Sequence, residues 1–238
     1  MARICLDRSD LAIFTHEGYR QSLLSDPSDG HLIEASWIDD AWIVDQQLLS
    51  ARIASNQSRP GLRLAFFGRL SHAKGVLDLM AACKDVLARG GDIYLDVYGA
   101  GELREDISRL VEHMPGNRVQ MCGTVAYGAP FLERIGTYDA VVVATTSDEQ
   151  PRVIYDAFSQ GVPVIASDTH GHRQCVSHGL TGHIFKAGDV AQLGQTIFSI
   201  LGNKPRWLAM GLDCREQAVG HTHRHMHEQR LALLRTLL

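Results

Sequence analysis

Cysteine is scarce, and its pattern is unpaired. Cys5, Cys83, Cys122, Cys175 and Cys214 stand far apart and form no C-x-x-C pair. An odd, widely spaced set predicts reduced thiols in a cytoplasm. Long apolar runs are missing too. None approaches the length of a membrane span, and the N-terminus "MARICLDRSD" lacks the apolar core of a signal peptide. There is no strong charge of one sign. A net charge of -4 argues against a nucleic-acid binder that works through bulk charge, leaving only a local basic patch for that role. No internal repeat or low-complexity tract interrupts the chain. What is present reads as an ordinary soluble globular protein: 238 residues, 45% hydrophobic and 21% charged. That length suits one large domain, or a domain with an appendage.

Short apolar runs alternate with helical patterns. The runs are Leu64 to Phe67, Ile93 to Tyr98, Val119 to Cys122, Ala140 to Ala144 and Val162 to Ala166. Between them lie amphipathic stretches such as Val76 to Leu87 and Leu103 to Val111. This alternation predicts an α/β fold: a Rossmann-like, doubly wound parallel sheet covered on both faces. Right-handed crossovers then gather the C-terminal strand ends on one rim, where such sheets bind ligands. Residues 50 to 62, "SARIASNQSRPGL", are polar with Pro60-Gly61 and read as a linker.

Two stretches on that rim carry chemistry. In "LAFFGRLSHAKG", residues 64 to 75, a strand ends at Gly68, where the backbone can turn and a ligand can approach. Arg69 offers a planar fork and Lys74 a point charge beside a helix start, whose free N–H groups favour anions. The pair reads as a diphosphate cradle or as two solvated surface cations. In "SDEQPRVIYDAFSQGVPVIAS", residues 147 to 167, Pro151 fits a first helical turn and Gly161 a helix end. The N–H groups of Arg152, Val153 and Ile154 then point at the same rim. Asp148 and Asp156 read as acceptors for ligand hydroxyls, or as an N-cap-type residue and a solvated helix position.

These stretches resemble the nucleotide-sugar-binding half of a family 4 retaining glycosyltransferase, an enzyme with the two-lobed GT-B fold. "GRLSHAKG" matches its Gly-Arg…Lys-Gly element, "YGAGEL" its G-x-G at Gly99 and Gly101, and "VQMCGTV" its element at Gly123. The block 147 to 167 and "GLTGHIF" follow in the family's order, so the resemblance runs over roughly residues 63 to 202. "YGAGELRE" lacks the third glycine of a dinucleotide fingerprint and reads as a turn. Residues 9 to 45 resemble the last strand, helix and strand before the interlobe linker. The helix from about Arg224 to Leu238 resembles the tail that crosses back. The resemblance therefore divides the chain into 1–60, a remnant of the first lobe plus linker; 61–202, the donor-binding domain; and 203–238, the crossing helices. It implies that most of the first lobe lies outside this sequence.

By resemblance, Arg69 and Lys74 neutralise the diphosphate, and Arg152, Val153 and Ile154 add N–H donors. Asp156 holds the ribose and Asp148 the donor sugar. Gly68 and Gly99 border the ligand, and backbone near Gly123 and Thr124 meets the base. The implied partners are a nucleotide-sugar donor and a glycan or lipid-linked acceptor bound through the missing lobe, with self-association through the uncovered interlobe face. No nucleic acid, metal or cofactor is implied. The location implied is the cytoplasm, including the inner face of the membrane as a peripheral protein. Three departures stand out. The family's paired glutamates are Asp148 and Asp156, each one methylene shorter. Its later glutamate aligns with Gln174, and its Gly-Gly loop is His170-Gly171-His172. The alternative function is a non-catalytic nucleotide-sugar-binding or interaction module; a sugar-nucleotide epimerase shares the fold. Outside the resemblance, "HTHRHMH" places His221/His225 and His223/His227 at helical spacing. The run has no acidic or Cys partner within it to complete a metal site and reads as a polar helix face.

Overall fold

The computed structural model describes residues 6, 9–26, 30–147 and 152–236. After β1 (Ala12–Phe14), α1 (Glu17–Leu23), β2 (Gly30–Leu32) and α2 (Gln46–Ser58), the chain enters a parallel sheet. Its strands are β3 (Leu62–Phe67), β4 (Ile93–Tyr98), β5 (Val119–Gly123), β6 (Ala140–Val143), β7 (Val164–Ser167) and β8 (Gly182–Phe185). They lie in the order β5-β4-β3-β6-β7-β8. The intervening helices are α3 (Val76–Ala88), α4 (Arg104–Glu112), α5 (Ala129–Ile135), α6 (Arg152–Ser159), α7 (His170–Cys175) and α8 (Val190–Gly202). Then come α9 (Lys204–Ala209), α10 (Gly211–Val219) and α11 (His223–Arg235). This is the doubly wound α/β class that the alternation of runs predicts.

The sheet is covered on both faces, most fully at β6 and β7, which are buried at consecutive positions. On one face Leu62, Leu64 and Phe66 pack with Val76, Leu79, Met80 and Val86 of α3 and with Leu193, Ile197 and Ile200 of α8. On the other, Val141, Val143, Val164 and Ala166 meet α5 and α6 through Leu132, Ile135, Ile154 and Phe158. Helices α9 and α10 belong to these cores as well. Trp207 and Leu208 join the first cluster, Cys214 and Ala218 the second. The fifth run begins later than expected, at Val164 rather than Val162, because Pro163 has no N–H for a ladder.

Residues 50 to 62, read as a linker, are mostly helix, α2. The Asp45 carboxylate caps it by accepting from the N–H groups of Gln47 and Leu48. Leu49 is fully buried, and Arg52 donates to the Gln160 carbonyl. Asn56 is buried as well, while most of the other polar residues face water, so the composition reads as a linker. The short β1 and β2 pair in parallel around Ala12, Phe14 and Leu24. Residues 34 to 44 then run along α6 and α11. Val44 donates to the Ser159 carbonyl at 2.8 Å, and His223 to the Ile38 carbonyl at 2.8 Å.

Candidate functional site

Strand order creates the site. The chain builds outward from β3 to β5, then returns to lay β6 on the other side of β3. Neighbouring crossovers therefore leave in opposite directions, and a crevice opens at the C-terminal ends of β3 and β6. Main-chain bonds tie the loops around it. Gly68 donates to the Tyr98 carbonyl at 3.1 Å, Gly99 to Gly123 at 2.7 Å, and Thr146 to Ala73 at 2.9 Å. The Thr145 hydroxyl reaches the same Ala73 carbonyl at 2.6 Å. Gly99 is needed here. Its φ is +148°, and a Cβ would stand 1.8 Å from the Gly68 carbonyl oxygen.

A cavity of about 440 Å³ fills the crevice. Phe66, Phe67, Val142 and Val143 line it from the strand ends. Phe67 stacks on Tyr98 with centroids 4.7 Å apart, and Phe131 meets Phe67 edge-on at 5.1 Å. Beneath them Tyr138 donates to Asp96 at 2.6 Å and shares a 2.9 Å bond with Tyr98. One wall is thus aromatic and apolar, suited to a flat ring. Lys74, Arg152 and Val153 also line the cavity.

The cavity brings together Gly68, Lys74, Gly99, Thr124, Arg152, Val153 and Asp156. Arg69, Gly123 and Ile154 do not line it. The Arg69 residue is exposed, while the Ile154 side chain is core and only its main chain could serve a ligand. Asp148 lies outside the described residues. Lys74 does not begin α3: it closes a 3-10 turn, His72–Lys74, and Gly75 separates the two. Asp156 is not a solvated helix position, since only 5% of it is exposed. Burial pushes its carboxyl up to about 7, while a hydrogen bond from Tyr127 and the charge of Arg152 pull it down. The Tyr127 hydroxyl donates to Asp156 Oδ1 at 3.0 Å.

Sequence reasoning missed Tyr127, Thr145 and the aromatic wall. Tyr127 could have been noticed three residues beyond Thr124. The wall is drawn from several separate elements and leaves no local pattern.

The histidine run also divides. His221 precedes α11, and its Nε2 lies 2.7 Å from Glu34 Oε2. Tyr155 donates to that same oxygen. His223 and His227 face each other on α11, Nε2 to Nε2 at 3.0 Å. No group of three or more His, Cys, Asp or Glu side chains among the described residues is placed to hold a metal ion. No described helix is long and apolar enough to cross a membrane.

Known proteins share this fold. The structure superposes on Anabaena HepE, solved in complex with UDP, with a TM-score of 0.81 at 17% identity, covering 99% of this chain and 66% of that one. Against sucrose-phosphate synthase from Thermosynechococcus elongatus the TM-score is 0.80 at 23% identity, covering 99% and 60%. At these identities the likeness shows the fold. In sequence, the chain is 29% identical over 175 residues to phosphatidyl-myo-inositol mannosyltransferase of Mycobacterium leprae, covering 70% of this chain and 45% of that protein. It is 23% identical over 186 residues to spore coat protein SA of Bacillus subtilis, covering 74% and 49%. The chain thus spans less than half the length of these curated relatives. The family model for glycosyl transferases group 1 matches residues 61–203, more than half of the chain and the whole of the crevice-forming sheet, so this chain belongs to that family.

Proposed function

We propose that this chain binds the nucleoside-diphosphate part of a sugar donor and serves a retaining glycosyltransferase of glycan or polysaccharide synthesis. One observation carries the reading: Lys74 and the first described turn of α6 border a single aromatic-walled cavity at the switch point of the sheet. A cation and main-chain N–H groups suit a diphosphate. The aromatic wall suits a base, and buried Asp156 suits ribose hydroxyls. Complexes of Anabaena HepE with UDP and with UDP-glucose support a nucleotide-sugar ligand for this fold.

In this reading the bond from the anomeric carbon to the diphosphate oxygen breaks. The bond to the acceptor oxygen forms on the same face, and the acceptor proton passes to the departing phosphate. Lys74, with Arg69 nearer the solvent, stabilises the charge that develops on the diphosphate. The N–H groups of Arg152, Val153 and Ile154 assist. Asp148 is assigned to the donor sugar, and main chain at Gly123 and Thr124 to the base. No resident metal takes part. The acceptor is a glycan or lipid-linked molecule, in keeping with the name of the mycobacterial relative. Free thiols at Cys83, Cys122, Cys175 and Cys214 support a reducing, cytoplasmic setting. Exposed Leu231 and Leu234 on one side of α11 support self-association there.

Calorimetric titration with UDP, GDP and pyrophosphate tests the reading. Saturable binding of at least one nucleoside diphosphate, tighter than that of pyrophosphate, is expected. Binding of neither nucleotide would overturn it.

A further inference from the structure

Tyr127 stands between solvent and the only carboxylate among the described residues that line the cavity, Asp156. Its hydroxyl has two acceptors in reach, Asp156 Oδ1 at 3.0 Å and the Trp37 carbonyl at 3.5 Å. One proton serves one acceptor well, and the nearer, charge-bearing oxygen takes it. The ring is not locked in a core. It is 47% exposed and touched by Trp42 edge-on at 6.1 Å and by Phe131 at 5.5 Å. Across the same mouth, the Arg152 guanidinium lies 5.2 Å from the Trp37 ring centroid.

The loop that carries Tyr127 is built to adjust. Residues 124 to 127 run between Gly123, φ +71°, and Gly128, φ +131°. A Cβ would meet nothing within 4 Å at Gly123, and only Pro130 Cδ at 4.0 Å at Gly128. Neither glycine is there to avoid a clash; both serve the backbone path of the loop. Thr124 and Val125 of that loop line the cavity alongside Tyr127.

A buried carboxylate needs hydrogen-bond donors. Tyr127 supplies one. The vicinal hydroxyls of a ribose supply two, in a geometry that suits both carboxylate oxygens. We propose that Tyr127 gates the cavity: its hydroxyl and the ribose hydroxyls of a nucleoside ligand compete for Asp156, and the ligand gains that carboxylate as Tyr127 turns aside. This rests on the nucleotide-binding reading above. The gate acts on nucleosides and not on bare phosphates, which bind on the Lys74 side. Because Tyr127 also touches Trp37 and Trp42, its rotation gives up those contacts at the same step.

The test compares the full chain with Tyr127→Phe, which keeps the ring and removes the competing hydroxyl. Calorimetry with UDP, GDP and pyrophosphate is run at about pH 8.5, so that Asp156 is charged. The variant should bind UDP about 3- to 10-fold more tightly, the worth of one hydrogen bond no longer broken. Pyrophosphate affinity should stay within about 2-fold. In ligand-free protein, NMR titration of the Asp156 carboxyl should show a higher midpoint in Tyr127→Phe, because a donor that favours the charged form is gone. Among the described residues, Tyr98, Tyr127, Arg152 and Lys74 are the other ionisable groups lining that cavity, and only Tyr127 changes. Equal or weaker UDP binding by the variant, or an unmoved Asp156 midpoint, overturns the gate alone. No binding of UDP or GDP by either protein overturns the nucleotide reading and the gate together.

Discussion

The Tyr155 and His221 rings stack 4.4 Å apart, 16° from parallel, and both reach Glu34 Oε2. Three elements distant in sequence therefore meet at one carboxylate: the segment after β2, helix α6 and the turn before α11. Burial pushes the Glu34 carboxyl up, but hydrogen bonds from His221 and Tyr155 outweigh it and hold the group below its ordinary value of 4.5. A carboxylate with a depressed folded value contributes stability above its unfolded value and loses it as pH falls through the folded one. Glu34→Gln should thus lower the melting temperature above about pH 5, with the gap to the native chain closing in more acid solution. Melting curves across that range check it; a gap that widens in acid would contradict the assignment.

Another carboxylate joins the two ends of the domain. Asp139, fully buried before β6, accepts from Arg59 at 2.8 Å and from the Arg63 N–H at 2.8 Å, with Lys204 Nζ at 3.4 Å. Lys204 is itself buried and donates to the carbonyls of Arg59 and Gly61 at 2.9 and 2.6 Å. Asp139→Ala leaves that ammonium without its counter-charge and should cost about 3 kcal/mol. Adding Lys204→Met should recover part of the loss. Urea unfolding measures both, and additive losses would show that the two side chains act independently.

The strands of the sheet were legible because most of their positions are buried and apolar, in short near-continuous runs. Ile93 to Tyr98 matches its run residue for residue. Helix α2 was hidden because its burial rests on few side chains, chiefly Leu49 and Asn56, among polar neighbours. At the site, Gly99 could be read from sequence because the backbone there admits only glycine, while Gly68 and Lys74 follow the end of an apolar run. Tyr127 meets Asp156 across 29 positions, and His221 meets Glu34 across 187. No periodicity spans such distances. The histidine run looked self-contained for the same reason: its acidic partner lies near the other end of the chain.

Lys74 and Arg69 look equivalent in sequence and are not equivalent in space. Lys74 lines the cavity, while Arg69 is exposed and does not. Lys74→Ala should weaken nucleoside-diphosphate binding by about 1–3 kcal/mol, as loss of a charge-assisted contact does. Arg69→Ala should cost less than half as much, because water screens an exposed charge. Calorimetry with UDP at two salt concentrations separates them. Equal losses would place Arg69 in the cradle beside Lys74.

Asp156 should make the protein's stability fall toward alkaline pH. Burial lifts its carboxyl from an unfolded value near 3.8 to about 7, against the opposing pull of Tyr127 and Arg152. Between those values the folded protein binds a proton that the unfolded chain has released. The stability contributed by the neutral acid is therefore complete below the unfolded value and is lost as pH rises through the folded one. Asp156→Asn keeps the shape and an oxygen acceptor for Tyr127 but cannot ionise. It should melt close to the native chain at about pH 3.5 and several degrees above it at about pH 8.5, a gain on the order of 1–3 kcal/mol. The same change should weaken UDP binding while leaving pyrophosphate binding nearly unchanged, since it removes charge from the ribose side only. Melting curves that stay parallel across this range would mean that Asp156 ionises as readily in the folded protein as in the unfolded chain. Equal loss of both ligands would assign it to the diphosphate.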